Sequence, residues 1–404
     1  MKKRIMALLM GVLLLSGCGG EKAGEKIDAA AVQASLLADC TYITEEMYEQ
    51  ATAFPEGDLT RIAAAMRKAE DGGEVTIGVI GGSITQGSSA SSQDKNYASL
   101  LKKWWENSFP QAKITLVNAG VGGTSSYLGV HRAEEDLLCQ DPDFVVVEFS
   151  VNDANTPFYK KSYDNLVYRI LTQDNAPGVL LLFMTMEDGT SAQENDSMIG
   201  FRYGLPMISY RNAVMYGMEQ GLFAWKDISP DNIHPNDRGH AMVGELLEVC
   251  LGGIRARLQE IPGEKAAFTK PIVTKEVYMD AAILNREDLE PVSWGSFAAE
   301  DVSSRFPGNW TTASGEEGIV FETEAANIGI MYQKYTNGTG GQYEVYVDGE
   351  YRATLDADFS GGWGNYGETV EVFSSDEKKV RRIEIKRKEG TAEGAFSIMG
   401  LLVS

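Results

Sequence analysis

The sequence predicts two domains. The first is α/β, a parallel sheet covered by helices on both faces in three layers; the second is an all-β sandwich, or jelly roll. Three observations predict this. Apolar, β-branched runs alternate with helically spaced segments through the first part of the chain, as in a parallel sheet buried on both faces. Beyond Pro262 the hydrophobic period falls from helical to two, the period of half-buried strands. And 404 residues exceed one typical domain. The expected boundaries are 41–260 for the α/β domain, 261–271 for a linker and 272–404 for the β domain.

Two helical segments come first, at 43–53 and 59–69, broken by Phe54, Pro55 and Gly57. Leu59, Ile62, Met66 and Ala69 form the apolar stripe of the second. Residues 75–80, VTIGVI, read as a buried central strand that runs into Gly81, Gly82 and Ser83. Two residues without a Cβ permit a sharp turn and a close approach by a ligand. A helix follows at 96–105. The second strand, 114–117, ends in a glycine-rich run from Asn118 to Ser125. A helix is expected at 127–139, and a third strand at 144–149 that ends at Ser150, Val151, Asn152 and Asp153. Helix 163–171, strand 179–184, helix 207–220, a weak fifth strand at 222–225 and a closing helix at 240–258 complete the domain.

In the second domain Tyr343, Val345 and Val347 alternate with Glu344 and Tyr346. Asp348 and Gly349 then signal a hairpin turn. Short strands are also expected at 318–323, 328–332, 369–373, 380–386 and 396–403. Trp294, Trp310, Tyr332, Tyr335, Tyr343, Tyr346, Trp363 and Tyr366 give this domain its aromatic content. Most should fill its core, while exposed ones could stack on sugar faces.

The first residues form a leader. Lys2, Lys3 and Arg4 precede an apolar run too short to span a bilayer comfortably, and Leu15, Ser16, Gly17 and Cys18 close it. This resembles a bacterial lipobox. It implies a signal peptide at 1–17, lipidation of Cys18, a flexible tether to about residue 40, and export to the outer face of the cell membrane. The formal net charge of −22 argues against a nucleic-acid partner. Cys40, Cys139 and Cys250 are too scattered for a zinc site and are odd in number, so buried free thiols are expected.

Four signals lie at strand ends or just before the last helix: Ser83, the glycine-rich 118–124 run, Asn152, and Asp231 with His234. Serine needs a base to become a nucleophile, and histidine suits that role near neutral pH. Of His131, His234 and His240, only His234 lies on a turn with an aspartate three residues earlier, close enough for the carboxylate to fix its tautomer. Acyl transfer also needs donors aimed at a developing oxyanion. The Ser83 N–H, a glycine N–H of the second run and the Asn152 amide could converge there. No Gly-x-Ser-x-Gly elbow surrounds Ser83 and no phosphate-loop motif occurs.

Over residues 74–258 these four blocks, in this order, resemble the SGNH hydrolases, also called GDSL esterases and lipases. The resemblance implies a flavodoxin-like fold. It also implies a catalytic triad of Ser83, His234 and Asp231, with an oxyanion hole of Ser83, Asn152 and most naturally Gly123; Gly122 and Gly120 remain alternatives. Gly82 stands where the family carries an acidic residue. That acid is not the triad aspartate. No metal or cofactor is implied. The expected reaction is ester hydrolysis through an acyl-serine. Export, the polar character of 186–210 and the aromatic β domain favour O-acetyl esters of carbohydrate, a polysaccharide or a small molecule. An esterase on lipid or small acyl esters and a non-catalytic glycan-binding lipoprotein are the alternatives. Residues 186–210 are expected to border the site, with Arg202 or Tyr203 toward substrate.

Overall fold

The computed structural model describes residues 28–361 and 364–404. The leader, Cys18, the expected tether up to residue 27 and Trp363 lie outside the described residues.

The α/β domain follows from its apolar runs. Strands β1 (Glu74–Gly81), β2 (Lys113–Gly120), β3 (Phe144–Glu148), β4 (Gly178–Phe183) and β5 (Met207–Ser209) form one sheet in the order β2-β1-β3-β4-β5. Every pairing is parallel. β3 and β4 are buried along their whole length, as continuous apolar strands should be. One apolar layer, with Leu101, Trp105, Val243 and Leu247, covers one face. A second, with Leu128, Val130, Leu166 and Ile170, covers the other. The strand order reverses between β1 and β3, and ligands of such sheets bind at the strands' carboxyl ends beside that reversal. Ser83 and Asn152 follow these two strands.

Two local expectations are corrected. The fifth strand is Met207–Ser209, which pairs with β4, not 222–225. Residues 207–209 directly precede a helix, α9 below, and three buried residues leave no strand period to read. Residues 222–224 are a turn that leads into a short helix at Trp225–Ile228. Second, the tether's last ten residues, Ala29–Ala38, are a helix, α1. Asp28 caps its first turn by accepting from the Ala30 and Ala31 N–H groups. Leu36 and Leu37 pack on the core, which a free tether would not do.

The remaining helices of this domain are α2 (Glu45–Ala51), α3 (Thr60–Glu70), α4 (Ser83–Gln86), α5 (Tyr97–Ser108), α6 (Ser126–Asp136), α7 (Pro157–Leu171), α8 (Gln193–Tyr203), α9 (Tyr210–Glu219), α10 (Trp225–Ile228) and α11 (Asp237–Ala256). No described helix is long and apolar enough to cross a membrane.

The second domain is antiparallel and all-β. Its strands are β6 (Ala282–Leu284), β7 (Ala298–Ala299), β8 (Trp310–Thr312), β9 (Ile319–Lys334), β10 (Gln342–Val347), β11 (Glu350–Asp356), β12 (Tyr366–Arg387) and β13 (Phe396–Val403). They pair in the order β11-β10-β12-β9-β13-β8-β7, with β6 on β13. The β10–β11 hairpin turns at Asp348 and Gly349, both at positive φ. The segments expected as separate strands at 318–323 and 328–332 are one strand, β9. Those at 369–373 and 380–386 are one strand, β12, whose register shifts between Glu371 and Phe373 and between Ser374 and Lys379. These bulges carry the ladder across polar residues that break the sequence pattern. Trp310, Tyr332, Tyr335 and Tyr343 fill the core, as expected of most of the aromatics.

β13 is buried on both faces. Ile398 and Leu401 join the core of the β domain. Met399 and Leu402, with Met331, Tyr278 and Ala281, join the apolar layer over α6 and α7. The two domains therefore share one core. Gly329 lets Tyr127 approach: a Cβ there would lie 2.2 Å from the Tyr127 Oη. Polar contacts reinforce the seam. Asn165 accepts from the Val277 and Tyr278 N–H groups at 3.0 Å, and Arg169 donates to the Ala281 carbonyl at 2.8 Å. The 261–271 segment also packs: Phe268 meets the rings of Tyr168 and Tyr203. A shared apolar core couples the stabilities of its two sides. Calorimetry should therefore record one cooperative unfolding transition; two resolved transitions would show that the seam is not a core.

Candidate active site

Gly82 ends the turn after β1, and Ser83 is the first residue of α4. Its Oγ lies 2.9 Å from His234 Nε2. His234 Nδ1 lies 2.8 Å from Asp231 Oδ2. Ser83, His234 and Asp231 are thus brought into one hydrogen-bonded chain. A carboxylate at Nδ1 keeps the proton there and leaves Nε2 as the acceptor toward Ser83.

The loop that carries His234 is held from several sides. Asp231 Oδ1 accepts from the Ile233 and His234 N–H groups, each at 2.7 Å. Partial desolvation alone would raise the Asp231 carboxyl. The hydrogen bonds from His234 and Ile233 outweigh it and hold the group below the usual carboxylate range. Trp225 Nε1 donates to the Asp231 carbonyl at 2.6 Å. Ser229 Oγ lies 2.7 Å from the carbonyl oxygens of both Asp231 and His234, so its single proton serves one or is shared between them. Asn236 then caps α11, accepting from the Arg238 and Gly239 N–H groups. Trp225 and Ser229 carried no motif signal; only the folded loop reveals them.

The other two histidines are structural. His131 is buried, with Nδ1 on the Tyr127 carbonyl at 2.7 Å, and burial lowers it to about 4. His240 is buried between the Tyr97 N–H and the Ser88 carbonyl.

Of the three candidate glycines, two have their N–H groups engaged. Gly120 donates to Asn118 Oδ1 and Gly122 to Gln86 Oε1, both at 2.9 Å. Gly123 is exposed, at φ +71°, and lines the cleft. The Asn152 amide packs on Gly82: a Cβ at Gly82 would lie 2.1 Å from Asn152 Oδ1. A Cβ at Gly82 would therefore require the Asn152 amide to shift. Asn152 Oδ1 is buried there with no hydrogen-bond partner among the described residues.

From Gly123 and Asn152 a cleft of about 220 Å³ opens between the domains. Thr124, Ser125, Leu128 and Tyr159 form one wall, and Tyr366, Gly367, Glu368 and Thr369 of β12 form the other. Tyr366 Oη donates to Glu368 Oε2 at 3.1 Å. Nothing local in the sequence places β12 here. The expectation for Tyr203 is corrected: it is buried and donates to Asp164 at 2.5 Å, because the α8 face that carries it packs on α7 and the 261–271 segment. Arg202 is exposed on the same helix and does not line the cleft. From the 186–210 segment, Glu187 reaches the loop that carries His234, its N–H donating to the Asn232 carbonyl at 2.9 Å. Cys40 and Cys250 are half-buried, and Cys139 is exposed because it closes a surface turn after α6; all three are free.

A model of the GDSL-like lipase/acylhydrolase family matches residues 79–242. Among solved structures, a two-domain esterase, CEX, active on acetylated mannans and co-crystallized with mannopentaose, is 33% identical. The alignment covers 88% of this chain and 97% of that one, with a TM-score of 0.78. A second structure of a two-domain esterase of that name aligns at 33% identity over 88% of this chain and 98% of that one, with a TM-score of 0.79. No curated protein matches the chain. The chain belongs to the GDSL-like lipase/acylhydrolase family and is an ester hydrolase. Its similarity to the two-domain esterase spans both domains.

Proposed function

We propose that the protein removes O-acetyl groups from extracellular carbohydrate, with acetylated mannan as the first substrate class to test. The observation that carries this reading is the cleft. It is walled by both domains and lined largely by hydroxyl, backbone and carboxylate groups, which suit a sugar better than a long acyl chain. The full-length similarity to an esterase active on acetylated mannans supports the same class.

In this reading Ser83 Oγ attacks the acetyl carbonyl and its proton passes to His234 Nε2. Asp231 stabilises the imidazolium and fixes its orientation. The Ser83 N–H, the Gly123 N–H and the Asn152 amide stabilise the oxyanion. The tetrahedral intermediate collapses, the sugar oxygen leaves with the proton from His234, and acetyl-Ser83 remains. Water then gives a proton to His234 and attacks the ester, and acetate leaves as Ser83 is reprotonated. The leader supports export with lipid attachment at Cys18 as part of the same proposal.

Acetate release from acetylated mannan and acetylated xylan, measured beside p-nitrophenol release from p-nitrophenyl butyrate, tests the substrate class. Mannan should be deacetylated fastest; preference for the butyrate ester would favour an esterase on lipid or small acyl esters. Sugar binding with no ester cleaved would favour the glycan-binding role. Asn152→Ala should lower kcat by roughly 10²- to 10³-fold, with KM little changed and the circular dichroism intact. Unchanged kcat would remove Asn152 from the oxyanion hole.

A further inference from the structure

The carboxyl end of β3 touches both loops that flank Asn152. Glu148, fully buried, accepts from Thr85 Oγ1 at 3.0 Å. Thr85 lies two residues after Ser83 on the same short helix. Thr85 Oγ1 also lies 2.7 Å from the Tyr97 hydroxyl. From Tyr97 the contacts run on through its N–H to His240 and then to the Ser88 carbonyl. The Ser88 N–H donates back to the Ser83 carbonyl at 2.9 Å. Asp153, also buried, accepts from the Ser126 N–H at 2.9 Å. Ser126 begins α6, three residues after Gly123.

Neither carboxyl takes part in the proton transfers proposed above. Both are costly to bury, since desolvation pushes each up to about 7. An apolar residue at either position would leave the Thr85 hydroxyl or the Ser126 N–H short of a partner.

We propose that Glu148 and Asp153 are positioning residues: they tie the Ser83 turn and the Gly123 loop to the strand end that carries Asn152, so that the three oxyanion donors converge. This rests on the proposed Ser83 esterase reading. Glu148 sets the first donor through Thr85, Asp153 sets the second through Ser126, and Asn152 stands between them in the chain.

The test is steady-state kinetics on p-nitrophenyl acetate for Glu148→Ala, Asp153→Ala, Thr85→Val and the conservative Glu148→Gln and Asp153→Asn. Misplaced donors cost turnover more than binding. The alanine variants should therefore lose about 10- to 100-fold in kcat with KM little changed. The amide variants keep an acceptor oxygen and should recover most of the loss. Thr85→Val removes only a hydroxyl, so it carries the test if Glu148→Ala does not fold. Unchanged kcat in a folded Glu148→Ala or Thr85→Val, or a loss confined to KM, would overturn the proposal. Ser83→Ala alongside separates the two levels. Hydrolysis that persists in it removes the esterase reading, and this inference with it. An inert Ser83→Ala beside an unimpaired Glu148→Ala removes the positioning role alone.

Discussion

Ser83→Ala is expected to lower turnover of p-nitrophenyl acetate by roughly 10⁵- to 10⁶-fold while the protein stays folded. The serine is half-buried at the start of a four-residue helix, and its Oγ contacts His234 Nε2. Removing one oxygen leaves the backbone, the glycine loop and Asn152 in place. The residual rate should be that of the oxyanion hole and binding alone. An unchanged melting temperature beside the lost activity would separate chemistry from folding. A variant that retains near wild-type turnover would mean that another group is the nucleophile.

Asp231→Asn should cost roughly 10⁴-fold in kcat. The reason lies in how both carboxylate oxygens are used. Oδ1 accepts two backbone N–H groups, and Oδ2 accepts from the ring. An asparagine has one acceptor oxygen. If it serves the two backbone groups, its amide N–H groups face Nδ1. The ring must then carry its proton on Nε2, where it donates to Ser83 instead of accepting from it. If the oxygen serves the ring, the amide opposes the N–H groups of Ile233 and His234, and the loop loses its anchor. Either way His234 is no longer held ready to accept the Ser83 proton. A loss of less than about tenfold would show that the carboxylate neither fixes the tautomer nor stabilises the imidazolium.

The parts of this site that the sequence disclosed are those at strand ends. Ser83, Asn152 and the 118–124 run sit where buried apolar runs stop, and a parallel sheet gathers such ends on one edge. Asp231 and His234 were legible because three residues suffice for the contact they make. What the sequence hid depends on distance along the chain. β12 reaches the cleft through the shared core, and Tyr366 and Glu368 look like ordinary strand residues until the domains are packed. The contact between Gly82 and the Asn152 amide was hidden too, because seventy residues separate them. Met207–Ser209 escaped because a three-residue strand joined to a helix has no period of its own. Residues 29–38 read as tether because alanines alone do not announce a packing partner, and Leu36 and Leu37 meet theirs only in the folded chain.

Passage of an acetyl group through Ser83 is the central step of the proposed reaction. The most direct measurement is acid quenching of the protein during turnover of an acetyl ester, followed by peptide mass spectrometry. One acetyl group is expected on the peptide that carries Ser83, absent without substrate and absent in Ser83→Ala. A stable acetyl adduct on a different residue of an active enzyme, lost together with activity when that residue is replaced, would contradict it.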